Sequence, residues 1–252
     1  MKRLSILYLL PGILLIALTG CQKELETDTG TIKITFVNKV NGSPLALNTE
    51  TYTNPFNETY TVSKFKYYIS NISLHGNGAT ITENNSYHLV DAAVPASMSF
   101  NFEAGVNSFS GISFIIGVDS ARNSSGAQTG ALDPLNDMFW TWNSGYVMAK
   151  MEGNSPQSSQ VGNRIEYHIG GFKGINGVLK TISLSFPAGK QVIIKEDQTS
   201  EIIIEADLDS WWHIPNDITI ANQPISTDPG VIAKKIADNY SKMFTVTDIL
   251  NN

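Results

Sequence analysis

Apolar side chains recur at every second position in several short segments divided by turn residues. Ile32, Ile34 and Phe36 alternate with polar neighbours in residues 31–37, and Phe65, Tyr67 and Ile69 do the same in 64–70. Ile72 and Leu74 continue that pattern after Asn71. Ile112, Phe114 and Ile116 repeat it before Gly117, as do Ile182, Leu184 and Phe186 before Pro187. Period two marks half-buried strands, because successive side chains point to opposite faces. Residues 191–195 and 201–207 are rich in β-branched side chains, with Glu196-Asp197-Gln198 as a polar turn between them. Asn41-Gly42, Asn77-Gly78 and Asn176-Gly177 are turn dipeptides. The pattern predicts an all-β antiparallel sandwich.

Helix is scarce. Residues 231–244, after Asp228-Pro229-Gly230, place Ile232, Ile236, Tyr240 and Phe244 on one face and Val231, Lys235, Asp238 and Lys242 on the other. A short C-terminal helix is expected there, and a helical turn in 134–139 after Asp133. Residues 119–136 read as a long polar loop on a β scaffold, a common place for function.

That loop leads into Met138-Phe139-Trp140-Thr141-Trp142-Asn143-Ser144-Gly145-Tyr146, which holds two of the four tryptophans. In a strand Trp140 and Trp142 would share a face. Such a pair is a core stripe, an aromatic binding platform or a site where the indoles do chemistry.

The N-terminus specifies an address. Lys2 and Arg3 precede a short apolar stretch, 4–17, that ends in Leu18-Thr19-Gly20-Cys21. This is the form of a secretory signal, and the stretch is shorter than the roughly 20 residues of a spanning helix. Leu-Thr-Gly-Cys resembles a bacterial lipobox, which makes Cys21 the lipidated first residue of the mature chain. Residues 1–20 are thus expected to be signal, 21–29 a lipidated tether and 30–252 one β domain. Gln22-Lys23-Glu24-Leu25-Glu26 resembles a surface-export signal of Bacteroidetes lipoproteins, or is simply a solvated tether. Outer-membrane attachment follows, facing the periplasm or the cell surface. Cys21 is the one cysteine, so no internal disulfide forms. The net charge is −6, and an acidic chain lacks the basic footprint that nucleic acid requires.

No hydrolase elbow, metalloprotease helix or phosphate loop is present, and no nucleophile–base pair marks an enzyme. Asp133, Asp137, Asp207, Asp209, Asp217 and Asp228 follow no calcium-loop spacing and read as turn residues. Of the histidines, His75 precedes Gly76-Asn77-Gly78 and reads as an exposed turn residue. His88 and His168 occupy strand-like positions, and His213 follows Trp211-Trp212. In a chain without thiols beyond the anchor, imidazole is the natural copper ligand.

The order of several segments resembles the MbnP-like copper-binding family. They are Val62-Ser63-Lys64-Phe65-Lys66-Tyr67-Tyr68-Ile69-Ser70-Asn71-Ile72, Leu89-Val90-Asp91, Ile115-Ile116-Gly117-Val118-Asp119 and Asp133-Pro134-Leu135. The 138–146 run, Lys150-Met151-Glu152-Gly153, Tyr167-His168-Ile169-Gly170-Gly171, Ile236-Ala237-Asp238-Asn239-Tyr240 and Met243-Phe244 complete the set. The resemblance implies an extracytoplasmic β protein that binds copper rather than turning over a substrate. It implies His88 and His168 as imidazole ligands, and Trp140 and Trp142 as rings open to oxidation by a dihaem, peroxidase-like partner. Founding members carry four cysteines that this chain lacks. The alternative from another class is a glycan- or peptide-binding module that stacks ligands on Trp140, Trp142, Trp211 and Trp212, which requires exposed indoles.

Overall fold

The computed structural model describes residues 28–76, 78–141 and 145–252. The signal segment, Cys21, most of the tether, Asn77 and Trp142 lie outside the described residues. The principal strands are β1 (Thr29–Val40), β2 (Thr59–Gly76), β3 (Tyr87–Asp91), β4 (Ser99–Gly105), β5 (Gly111–Ile116), β6 (Gly145–Asn154), β7 (Arg164–Gly170), β8 (Lys180–Ser185), β9 (Thr199–Asp207) and β10 (Phe244–Asn251). One helix longer than a single turn is described, α1 (Val231–Tyr240). No helix among the described residues is long and apolar enough to cross a membrane.

Two curled sheets pack face to face. In the smaller, β1 lies between β9 and β4, and β10 adds to the far side of β9. The sheet is mixed: β4 and β10 pair antiparallel, but β1 and β9 run parallel from Thr31–Thr199 to Lys39–Asp207. Strands so far apart in sequence are free to align this way, because a long crossover joins them. At Asn41 and Gly42, φ is 48° and 77°, the geometry of a tight hairpin turn, and the chain folds back as Ser43–Pro44 on β1.

The larger sheet runs β8–β5–β2–β6–β7, with Ile225–Ser226 on the outer edge of β7. β2 organises it. Its first half pairs with β6, its second half with β5, and β3 pairs across its middle. Phe65, Tyr67 and Ile69 are buried, and so are Ile72 and Leu74, which have the opposite parity. The reconciling feature is Asn71, at φ 51°, where the pairing with β5 slips between Ser70 and Ser73. One extra residue reverses the alternation, so both apolar sets face inward.

Rings fill the space between the sheets. Phe36, Tyr67 and Phe114 each contact Phe244 edge-on, at 6.0, 5.6 and 5.1 Å between centroids. This explains why the C-terminal helix is shorter than its apolar stripe predicts. α1 ends at Tyr240, the chain turns through Met243, whose N–H donates to the Tyr240 carbonyl, and Phe244 enters β10 opposite Ala206. Tertiary packing of one ring outweighs continued helical spacing. Residues 134–139 form only the turn Pro134–Asn136, capped by Asp133, whose carboxylate accepts the Leu135 N–H.

Candidate functional site

Several of the family-like segments, those in β2, β6 and β7, meet on the outer face of the larger sheet. Cross-strand registers set Lys66 beside Lys150 and Lys150 beside His168, and set Lys64 beside Glu152. In these strands the odd positions Phe65, Met151, Tyr167 and Ile169 are buried toward the core. The even positions Lys64, Lys66, Lys150, Glu152 and His168 therefore share the opposite face.

They form one ionic network. The His168 Nε2–H donates to Glu152 Oε1 at 2.9 Å. Lys64 Nζ lies 3.1 Å from Glu152 Oε2 and 3.0 Å from Asp137 Oδ2. Lys150 Nζ reaches the same Asp137 oxygen at 3.0 Å and donates to the Asp137 carbonyl. Lys66 joins Asp91 at 2.9 Å and the Asn136 carbonyl at 3.2 Å. Three ammonium groups thus face three carboxylates. Lys150 is 2% exposed, and burial pushes its ammonium below the ordinary lysine range against the pull of Asp137 and Glu152. The hydrogen bond from His168, helped by Lys64, outweighs burial and holds the Glu152 carboxyl down at about 2.

The same contacts bind the segment 119–141 down onto this face. Asp119 caps a helical turn by accepting the Ala121 and Arg122 N–H groups and also accepts the Tyr87 hydroxyl. The Tyr68 hydroxyl donates to the Ala131 carbonyl, and that of Tyr146 donates to Leu132. The loop expected from composition is therefore a fixed cover.

Trp140 closes one end. It belongs to a two-residue strand, Phe139–Trp140, that pairs with Tyr146 and Gly145. The described strand ends at Trp140, and Trp142 lies outside the described residues. The Trp140 indole is buried over Gly170, where an added Cβ would lie 2.4 Å from two ring carbons. Gly170 is two residues from His168 and on the same face, so glycine here makes room for the ring.

Trp140 and His168 lie on the same face, with the indole over Gly170, two residues along β7 from His168; His88 does not. Its register partner is the core residue Ile69, so it points toward the smaller sheet. There it stacks on Phe100 at 3.5 Å with rings 3° apart, and its Nε2 meets Glu83 Oε2 at 3.0 Å. Along β7–β6–β2–β3 it is three strand spacings from His168, about 14 Å, and on the opposite face. Two imidazoles on one ion need metal bonds of about 2 Å each, so His88 and His168 cannot share a metal. Among the described residues no group of three His, Cys, Asp or Glu side chains could hold one.

Other expectations also change. Trp211 and Trp212 are 1% exposed, and their N–H groups donate to Met243 Sδ at 3.4 Å and the Tyr60 hydroxyl at 3.0 Å. With Trp140 buried too, the three described indoles cannot act as stacking platforms for a glycan. All three are core residues, and the N–H groups of Trp211 and Trp212 are satisfied. His75 is not in a turn: it lies in the last residues of β2, with Nε2 2.6 Å from Ser113 Oγ. Asp133 and Asp207 serve turns, the latter accepting the N–H groups of Asn41, Gly42 and Asp209. Sequence alone gives the ionic network no role: Lys64, Lys150 and Glu152 occur only within family-like segments, and Asp137 reads only as a turn residue, which it also is, at the end of the turn Pro134–Asn136. The network's signal was polar residues holding one phase of otherwise apolar strands.

Against known proteins, the pattern of the MbnP family matches residues 29–231. A solved structure, MbnP from Methylosinus trichosporium, is similar at 13% sequence identity with a TM-score of 0.47, covering 75% of this chain and 79% of that one. Among curated proteins none matches.

Proposed function

The chain belongs to the MbnP family, and from that premise we propose that it is an extracytoplasmic copper-binding protein with His168 as a ligand. The observation that carries this reading is the His168–Glu152 pair beside Trp140. With its Nε2–H committed to a carboxylate, a neutral imidazole presents the Nδ1 lone pair, and a carboxylate behind a histidine is the usual way a metal-binding ring is oriented. Glu152 is then a positioning residue, itself held by Lys64.

One oriented imidazole does not complete a copper site, and the described residues offer no second donor of that kind here. In this reading the remaining donors come from the Trp140–Trp142 segment, and a dihaem, peroxidase-like partner is the oxidant acting on Trp140 or Trp142. The chain is held to the outer membrane through lipid on Cys21 and serves copper acquisition or storage.

Copper stoichiometry on protein from its native host tests the ligand. His168→Ala should lose the bound copper, and Glu152→Gln should weaken it by about 10-fold, as second-shell changes do. Copper binding by His168→Ala equal to that of wild type would falsify the assignment. Cys21→Ser should move the protein out of the membrane fraction; if it stays there, the anchor is elsewhere.

A further inference from the structure

Four strand ends of the smaller sheet meet at one end of the molecule. Register pairs Thr29 with Gly105, Thr31 with Thr199 and Ser200 with Asn251. The start of β1 therefore stands with the end of β4, the start of β9 and the end of β10. The turn before β9 is bound to the same place: the Asp197 N–H donates to the Thr29 carbonyl, and the Thr31 N–H to that of Gln198. The carbonyl of Asp28, the first described residue, accepts the Val106 N–H at 3.0 Å.

A two-stranded ribbon closes this end. Asn107–Phe109 pairs with Val192–Ile194, which sets Asn107 opposite Ile194 and Ser108 opposite Ile193. The Ile193 N–H donates to Asn251 Oδ1 at 2.8 Å, which ties the ribbon to β10. Strand alternation buries Val192 and Ile194 and leaves Ile193 42% exposed. Val106, one residue before the ribbon, is 51% exposed, and Leu250, beside Asn251, is 41% exposed. Three aliphatic side chains in water thus surround the point where the chain arrives. Single exposed apolar residues are ordinary on a protein surface; these differ in what precedes them along the chain. Cys21 and Asp28 are separated by so few residues that even a fully extended chain between them reaches only about 25 Å.

We propose that this end of the sandwich rests on the headgroup region of the bilayer, with Val106, Ile193 and Leu250 as its contact points. The inference rests on the lipid-anchor reading of Cys21 given above. A short tether holds the end at high effective concentration over the lipid, so weak contacts suffice to dock it. Aliphatic side chains gain by leaving water for the headgroup and acyl boundary. Charge is not the attraction, because the exposed residues Asp28, Glu196 and Asp197 outnumber Lys195 at the tether exit. The surface that fits is therefore zwitterionic lipid, met through apolar contact.

The test uses the lipidated full chain on vesicles of phosphatidylcholine and phosphatidylethanolamine that carry spin-labelled lipid. Lipid on Cys21 leaves no other thiol, so an introduced cysteine takes a fluorophore alone. The control is Val161→Cys. Val161 is 89% exposed and lies in the turn after β6, next to Gly162, whose carbonyl accepts from Asn154 at the Thr61 end of β2. The other end of β2 is the tether end, where a Cβ on Gly76 would lie 2.7 Å from Phe109 Cα. Labels at Val106→Cys and Ile193→Cys should be quenched at least about 3-fold more strongly than at Val161→Cys, because interfacial contact reaches only a few ångströms into the lipid. Raising salt to about 1 M should leave that quenching unchanged. Equal quenching at the three positions, or its loss in salt, overturns the proposal. Protein that stays off the vesicles removes the anchor and this inference together. Protein that binds them with both labels unquenched removes this inference alone.

Discussion

The two faces of the larger sheet are held by different physics. Toward the smaller sheet, Tyr60, Phe65, Tyr67, Tyr167, Trp211 and Trp212 are excluded from water, and their contribution scales with apolar area. On the outer face, Lys64, Lys66, Lys150, Glu152 and His168 occupy the alternate positions of the same strands, tied by directional pairs to Asp91 and Asp137. The inner face tolerates no polar group without a partner, whereas the outer face balances charges and leaves an imidazole nitrogen available. Apolar burial is concentrated on one side and charge on the other, although both are written in one alternating pattern.

Substitutions should separate the two faces. The largest effect belongs to the core: Trp212→Ala should destabilise by about 4 kcal/mol in urea unfolding, from lost transfer energy and the cavity left behind. The loss should be nearly independent of pH. A cost below about 1 kcal/mol would mean that Trp212 is not the core element described. Gly170→Ala probes the boundary, where the added methyl meets Trp140. It should cost about 2 kcal/mol through overpacking and alter the near-ultraviolet signal of Trp140, while unchanged spectra would place that ring elsewhere.

The smallest effect belongs to the ionic face and depends on pH. The Glu152 carboxyl is depressed from 4.5 to about 2 in the folded protein. A depressed carboxyl contributes fully above its unfolded value and loses that contribution as pH falls through the folded one. Lys64 is almost half exposed, so solvent screening leaves about 1 kcal/mol of that contribution. Glu152→Gln should therefore cost about 1 kcal/mol at neutral pH, a difference that shrinks below pH 4.5 and vanishes near pH 2. A gap between the two proteins that stays constant with pH would remove the ionic account of this face.

Much of the scaffold was legible because strand burial has a short period. Ile32, Ile34 and Phe36, or Ile112, Phe114 and Ile116, declare their buried face within six residues. Phe244 was misplaced in a helix because helical spacing from Tyr240 competes with a strand pairing to Ala206, nearly forty residues away in sequence. His168 and Trp140 could be named from the family-like segments, but their adjacency depends on Gly170 leaving space for the ring. His88 looked equivalent to His168 because both sit in strand-like runs; parity relative to Ile69 and Lys150 distinguishes them, and parity is visible only once strands are paired.

The sequence by itself determined the β class, the alternation that buries one face of each strand, the turns at Asn41-Gly42 and Asp133, and the family. These depend on near-neighbour sterics and on local periodicity. Only the tertiary structure decided that β1 and β9 run parallel, that Asn71 reverses the phase of β2, that Trp211 and Trp212 are core, and that Lys64, Lys150, Glu152 and Asp137 surround His168. Those are outcomes of register between distant strands, where a shift of one residue exchanges the two faces.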